Sequence, residues 1–152
     1  MNTSNLGMTE KNTVPDGPFI NLDHLTTIEP AYLDSIINDS WGMLSLNSLG
    51  EITPEIAKIL GGHKGVLSLN GVTSLDDESA KHLAQHKGTL FLQGIKTIDS
   101  SIAELFSKSN ETIILGLESV NDKVAHALGH SHGVIGLSTR VTEQVRELVE
   151  GV

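Results

Sequence analysis

The chain has 152 residues, a formal net charge of −9 and no cysteine; charged residues make up 19% of it and aromatic residues 3%. This length predicts one domain, and the composition is typical of a soluble globular protein with a core of Leu, Ile, Val and Ala. The acidic balance predicts no nucleic-acid or membrane partner, and the missing cysteines exclude disulfides and Cys-based zinc sites.

The N-terminal segment differs in pattern from the rest of the chain. Residues 1–17 are polar and aperiodic, and we interpret them as a flexible tail before a folded region at 18–152. They contain no apolar run, so we expect no signal peptide and a cytoplasmic location. Residues 19–42 read as a divergent first unit rich in acids, typical of a solenoid cap. Trp41 is expected to cover the open end or the next junction rather than stack on a ligand.

The stretch 66–88 has the clearest internal pattern. Leu67 and Leu69 alternate with Val66, Ser68 and Asn70, which indicates a strand with one buried face. Asp76 then stands where a helix N-cap is needed, with further acids in the first turn. Gly88 ends the stretch, as glycine commonly does after a helix. The pattern predicts a strand followed by a helix.

Weaker copies of this unit lie on both sides, aligned on the apolar residue before each helix. These residues are Ile28, Ile52, Leu75, Ile98, Val120 and Val141. Five of the six residues that follow are good N-caps, namely Thr53, Asp76, Asp99, Asn121 and Thr142. Pro30 and Pro54 stand at the first helical position, which tolerates proline. We therefore predict an α/β solenoid of about six strand–helix units, with a parallel sheet on one face.

The last two units depart from the regular spacing. Unit 111–133 is one residue short, and the pattern leaves open whether Ile113 or Ile114 faces inward. Unit 134–152 is shorter again, and no further unit follows to cover its helix. Either charged residues of this helix shield it, or the helix pairs with another copy of the chain. The candidate self-association residues are Val145, Leu148 and Val149.

The run Leu67-Ser-Leu69-Asn-Gly-Val72-Thr-Ser-Leu75, at a period of about 23 residues, resembles bacterial leucine-rich repeats of the BspA-like and Planctomycetes types. The resemblance covers residues 19–152. It implies a curved solenoid with helices opposite the sheet, acting as a protein-binding or adhesive surface. The asparagine common inside such repeats is missing from its usual place, taken here by Leu49, Val72 and Ile95. The resemblance therefore carries over no functional residues.

Candidate chemistry is sparse in this sequence. His82 and His86, and again His126 and His130, are spaced to share a helix face, as metal ligands can. No third ligand stands at a recognised spacing, and His63 and His86 occupy the same repeat position at a helix end. The serines fall at repeat positions, and no phosphate loop is present. We expect no enzyme, no metal site and no cofactor.

The strand face offers a binding surface. Its outward residues are Ser45, Asn47, Ser68, Asn70, Phe91 and Gln93. Stacked in register, they place one aromatic residue on a polar sheet, and such anchors carry much of the energy of protein interfaces. Alternatively, Phe91 packs on its neighbours or the amides form a structural hydrogen-bond ladder. Our hypothesis is a non-catalytic protein–protein interaction module; the alternatives are a protein that self-assembles through its ends or an acidic inhibitor or immunity-type protein.

Overall fold

The computed structural model describes residues 19–37 and 42–150. The predicted tail and Trp41 lie outside the described residues. Within them, strands and helices alternate along the chain. The strands are β1 (Phe19–Asn21), β2 (Met43–Ser45), β3 (Val66–Ser68), β4 (Leu90–Leu92), β5 (Thr112–Leu115) and β6 (Val134–Gly136). The helices are α1 (Pro30–Ile37), α2 (Pro54–Gly61), α3 (Asp77–Leu83), α4 (Ser100–Ser107), α5 (Asp122–Gly129) and α6 (Thr139–Glu150).

The sheet confirms the predicted α/β class. Its strand order is β1-β2-β3-β4-β5-β6, and every adjacent pair is parallel. Each strand therefore pairs with the strand of the next unit, and each helix returns the chain to the same end of the sheet. Leu44, Leu67, Leu90 and Ile113 lie side by side in this register and are almost fully buried. Ile113 thus faces inward and Ile114 outward, which settles the open register of β5.

The helix starts follow from their capping residues. The side chains of Thr53, Asp76, Asp99 and Asn121 each accept a hydrogen bond from the backbone N–H three residues later. These bonds satisfy donors that the first helical turn leaves open. The N–H of Ile102 and the hydroxyl of Ser101 lower the pKa of the Asp99 carboxyl. The four predicted caps are confirmed, and prolines begin α1 and α2 as expected.

Small residues bring the helices close to the sheet. One alanine per regular unit is completely buried, and a large apolar side chain three residues later fills the space beneath it. The alanines are Ala57, Ala80, Ala103 and Ala125, and their partners are Leu60, Leu83, Phe106 and Leu128. Since each layer offers the same room, the core continues from one unit into the next.

The last unit differs from its predicted form. Thr142 does not cap a helix, because α6 already begins at Thr139. Its first turn is closed by Ser138, whose hydroxyl accepts a hydrogen bond from the Val141 N–H at 3.4 Å. Val141 is therefore a buried helical residue rather than the last residue of a turn. Among the described residues, no helix has the length and hydrophobicity needed to span a membrane.

Candidate binding surface on the outer sheet face

The outer sheet face consists of the strand side chains that point away from the helices, together with the residues that follow each strand. In its central row, the register places Ser45, Ser68, Phe91, Ile114 and Gly136 side by side. This row is polar in its first half and apolar from Phe91 onward. The outer sheet face therefore has two halves of different chemistry.

A hydrogen-bond ladder fills the N-terminal half. Asp23 Oδ1 accepts from the Ser45 hydroxyl at 2.6 Å and from the Asn47 N–H at 2.8 Å. One unit further, Asn47 Oδ1 accepts from the Ser68 hydroxyl at 2.7 Å and from the Asn70 N–H at 2.8 Å. Each rung thus joins two successive units through one side-chain oxygen. Burial alone would raise the pKa of the Asp23 carboxyl, but these hydrogen bonds outweigh it, so the pKa lies below 3.8.

The ladder changes at Phe91. Asn70 Oδ1 still accepts from the Gln93 N–H at 2.9 Å, but Phe91 replaces the serine that would supply the second donor. The Gln93 side chain is exposed and accepts no hydrogen bond from a described residue. The ladder therefore ends one unit after Asn70.

The shortened fifth unit explains why no further rung follows. In the fourth unit Leu92 and Ile95 are separated by Gln93 and Gly94, whereas in the fifth unit Gly116 alone separates Leu115 from Leu117. A Cβ atom on Gly116 would collide with the Gln93 carbonyl oxygen, just as one on Gly94 would collide with that of Asn70. Gly116 is thus the counterpart of Gly94. The residue that the fifth unit lacks is the ladder residue.

The six predicted binding residues fall into three groups. Ser45 and Ser68 are only 2% and 4% exposed, so the expectation that they are open to a partner is wrong. The Asn47 and Asn70 side chains are half-buried and belong to the ladder, which confirms the structural alternative for these two. Phe91 and Gln93 remain on the accessible surface, Phe91 half-buried and Gln93 exposed.

A cleft of about 570 Å³ opens beside the apolar half, where the ladder is missing. Its lining includes Gln93, Ile114, Gly116, Gly136 and three charged residues at its rim, Lys96, Glu118 and Arg140. Lys96 Nζ donates to the Gln93 carbonyl at 3.1 Å, and Arg140 Nη2 donates to the Glu118 carbonyl at 2.6 Å. Within the described part of the chain, neither cation forms a salt bridge.

The C-terminal helix is already packed within the chain. Val145 is 8% exposed, and Leu148 and Val149 are half-buried against the core. Val149 fits against Gly129 of α5 so closely that a Cβ there would lie 2.6 Å from Val149 Cγ2. The three candidate self-association residues therefore do not form an open apolar face.

The contacts of the histidines differ from those that the spacing of four residues suggested. His86 lies beyond the end of α3 and does not share a helix face with His82. It is buried and stacked on His63, with ring centroids 5.6 Å apart, and its Nε2 lies 2.8 Å from the Gly65 carbonyl oxygen. His126 and His130 do stack on the surface, but the described residues hold no group of three side chains suited to a metal ion.

The cleft was not anticipated from the sequence. The one signal in the sequence was that the fifth unit is a single residue shorter. This signal indicates a cleft only once the missing residue is known to be the ladder residue. No protein-family model matches the chain, and no curated protein or solved structure shows significant similarity to it. The likeness to leucine-rich repeats therefore remains a likeness of sequence pattern.

Proposed function

We propose that this protein is a non-catalytic interaction module that binds a partner protein on the C-terminal half of its outer sheet face. One observation carries the proposal. Phe91 and Ile114 are adjacent in register, apolar and half-buried, and Ile114 lines the cleft. Interfaces obtain most of their energy from a few apolar anchors beside a pocket. The N-terminal half supports the same choice, because its polar groups already bond to one another.

The proposal identifies a surface, so site-specific crosslinking is its first test. A photoreactive benzoylphenylalanine at position 91 should yield a discrete crosslinked product in cells that express the chain. The same group at Lys81, which is exposed on α3, is the matched control and should not yield that product. Equal products from both positions would contradict docking at the outer sheet face.

Phe91→Ser then measures the contribution of the anchor. The new hydroxyl would stand beside Asn70 Oδ1 as Ser68 stands beside Asn47 Oδ1, so we expect the fold to be retained. Affinity for the purified crosslinked partner should fall by roughly thirtyfold, the effect of losing an anchor of about 2 kcal/mol. Titration calorimetry gives the affinity and thermal melting the stability. Unchanged affinity in a stable variant would sink the proposal.

A second candidate is self-assembly through the two edges of the sheet. Val134 on β6 is 60% exposed and Phe19 on β1 is 38% exposed, and edge strands that keep free backbone groups can pair with another chain. Head-to-tail pairing would form growing stacks. Light scattering over a concentration series should then show species above 16.2 kDa, and Val134→Lys should remove them. A monomer at every concentration would eliminate this candidate.

A further inference from the structure

We infer that the segment bound at the cleft is an extended acidic peptide segment of the partner, in which a large apolar residue is followed by a carboxylate two to four residues later. The apolar residue would rest on Phe91 and Ile114, and the carboxylate would lie between Lys96 and Arg140. This inference rests on the proposed function and adds the chemistry of the ligand.

The charges around the cleft are the first step of the argument. Lys96 and Arg140 flank it, and Glu118 is the one carboxylate in its lining. The head group of each cation donates one hydrogen bond to a backbone carbonyl oxygen. An ammonium has three donors and a guanidinium five, so both retain donors for a ligand. With two cations and one carboxylate in its lining, the cleft carries a local charge of +1, whereas the net charge of the chain is −9.

The charge of the helix side strengthens this preference. The helices carry nine exposed acids against five exposed lysines and arginines, Arg140 included, so their side of the protein is net negative. An acidic segment is repelled from that side and attracted to the two cations of the cleft. Complementary charge of this kind determines orientation and encounter rate more than it adds affinity.

The shape of the cleft fixes the spacing in the ligand. Gly116 and Gly136 line the cleft together with Ile114, whose Cδ1 would collide with a Cβ on Gly136. Two to four residues of an extended ligand chain cover about 6.6 to 13 Å. Lys96 lies in the turn after β4 and Arg140 in the first turn of α6, both beyond the carboxyl ends of the strands. A ligand carboxylate two to four residues after the apolar residue reaches them.

Selection from a random seven-residue peptide library displayed on phage tests the inference with the full chain. The unmodified protein should enrich peptides with a large apolar residue followed by Asp or Glu at this spacing. The variant Lys96→Glu/Arg140→Glu should not enrich them. Lys81→Glu/Lys108→Glu introduces the same change of charge on the helix side and should enrich the same peptides as the unmodified protein. Thermal melting confirms that the variants fold.

The most enriched peptide, synthesised with blocked ends, then gives the affinities. Reversal of Lys96 and Arg140 should weaken its binding roughly tenfold or more, and the helix-side control should change it by less than about twofold. Addition of salt should weaken binding to the unmodified protein.

The possible failures are distinguishable. Peptides that depend on Phe91 but carry no acid, and bind the reversed variant equally well, would overturn this inference and leave the proposed function intact. If no selected peptide depends on Phe91, both fall. If light scattering shows that self-association displaces the peptide, the occupant of the cleft is a second copy of the chain, and the acidic segment of a partner is excluded.

Discussion

In the N-terminal half of the outer sheet face, side-chain oxygens of Asp23 and Asn47 each accept two hydrogen bonds from the next unit. In the C-terminal half, Phe91 and Ile114 occupy the row positions of the donors Ser45 and Ser68 and have no side-chain group to donate. The two halves share one backbone register, so the difference lies in the side chains and in a single missing residue. The first half is closed by its own bonds, whereas the second half leaves apolar surface and a cleft.

This contrast separates the residues that stabilise the sheet from those of the proposed binding surface. A buried donor that loses its acceptor costs much more than an average hydrogen bond contributes, so ladder residues are difficult to replace. The outer-face side chains of Phe91 and Ile114 take no part in the ladder, so they can vary without breaking it.

The largest expected effect comes from breaking the ladder at Asn47. Asn47→Ala leaves the Ser68 hydroxyl and the Asn70 N–H without their acceptor, and should lower the free energy of unfolding by about 2–4 kcal/mol. Urea denaturation measures this. Asn47→Asp keeps an oxygen in place and should retain most of the stability. Gln93→Ala should cost less than about 0.5 kcal/mol, because the Gln93 side chain is exposed. Equal losses for Asn47→Ala and Gln93→Ala would refute the contrast.

A buried hydroxyl on the helix side tests the cost of an unpaired polar group in the opposite direction, because its removal should stabilise the protein. Ser79 of α3 is completely buried, and its Oγ has no hydrogen-bond partner. The regular units place Ile56, Ile102 and Val124 at this position. Ser79→Ala should therefore raise the free energy of unfolding by about 1 kcal/mol.

Ser45→Ala is the control for this change. It deletes the same hydroxyl from a residue that does have a partner, Asp23 at 2.6 Å, and should destabilise the protein. A loss of stability in Ser79→Ala would show that its hydroxyl is satisfied in solution.

Restoring the ladder residue that the fifth unit lacks should make the C-terminal half of the outer sheet face more like the N-terminal half. Insertion of asparagine between Leu115 and Gly116, together with Gln93→Asn, gives the fifth unit a full turn and the ladder another rung. Because one new rung is added at the surface, we expect stability to change by no more than about 1 kcal/mol. The inserted N–H should gain protection from hydrogen exchange, and peptide binding at the cleft should weaken. If the inserted N–H is protected from exchange and the variant still binds the peptide with unchanged affinity, the binding at the cleft does not depend on the missing residue.

The regular elements were predictable because their determinants are local. Thr53, Asp76, Asp99 and Asn121 cap helices through bonds to the third residue beyond, and a spacing of three is visible in sequence. Thr142 fitted the same pattern, but the prediction that it caps a helix was wrong, because the last unit has no turn and α6 begins earlier, at Thr139. Which residue caps a helix depends on how soon the helix begins after the preceding strand. In the shortened last unit, the sequence did not show that α6 begins only three residues after the end of β6.

The candidate site was only partly predictable because it depends on contacts between units. Asn47 and Asn70 stand two residues after the ends of β2 and β3, where a polar residue usually contacts water. Their role comes from a backbone N–H 23 residues later that only the stacked register brings within 2.9 Å. Phe91 was found because an outward aromatic residue interrupts a polar row. Ile114 was missed as its partner because the pattern at 113–114 allowed either orientation.

The smallest expected effect is a dependence on pH that divides the two halves. His86 and His63 stack between the second and third units, while the next unit has Ser109 at the same position. Burial lowers the pKa of His86; the Gly65 carbonyl raises it and His63 lowers it further, so the folded-state pKa lies below the ordinary 6.5. The unfolded chain therefore binds this proton more readily. Stability from the neutral His86 is complete above about pH 6.5 and declines as the pH falls below it.

Hydrogen exchange between pH 7.5 and 5.0, corrected for the intrinsic rate at each pH, locates this effect. Protection of the Leu67 and Leu69 amides should fall toward pH 5, while that of Ile113 and Leu115 should fall less, since Ser109 does not titrate. Asp23 does not interfere, because its depressed pKa confines its contribution to pH values near and below 3.8. His86→Asn keeps a donor for the Gly65 carbonyl and should flatten the pH profile. A uniform loss of protection across the sheet would mean that the units open together and that the buried histidines do not set where opening begins.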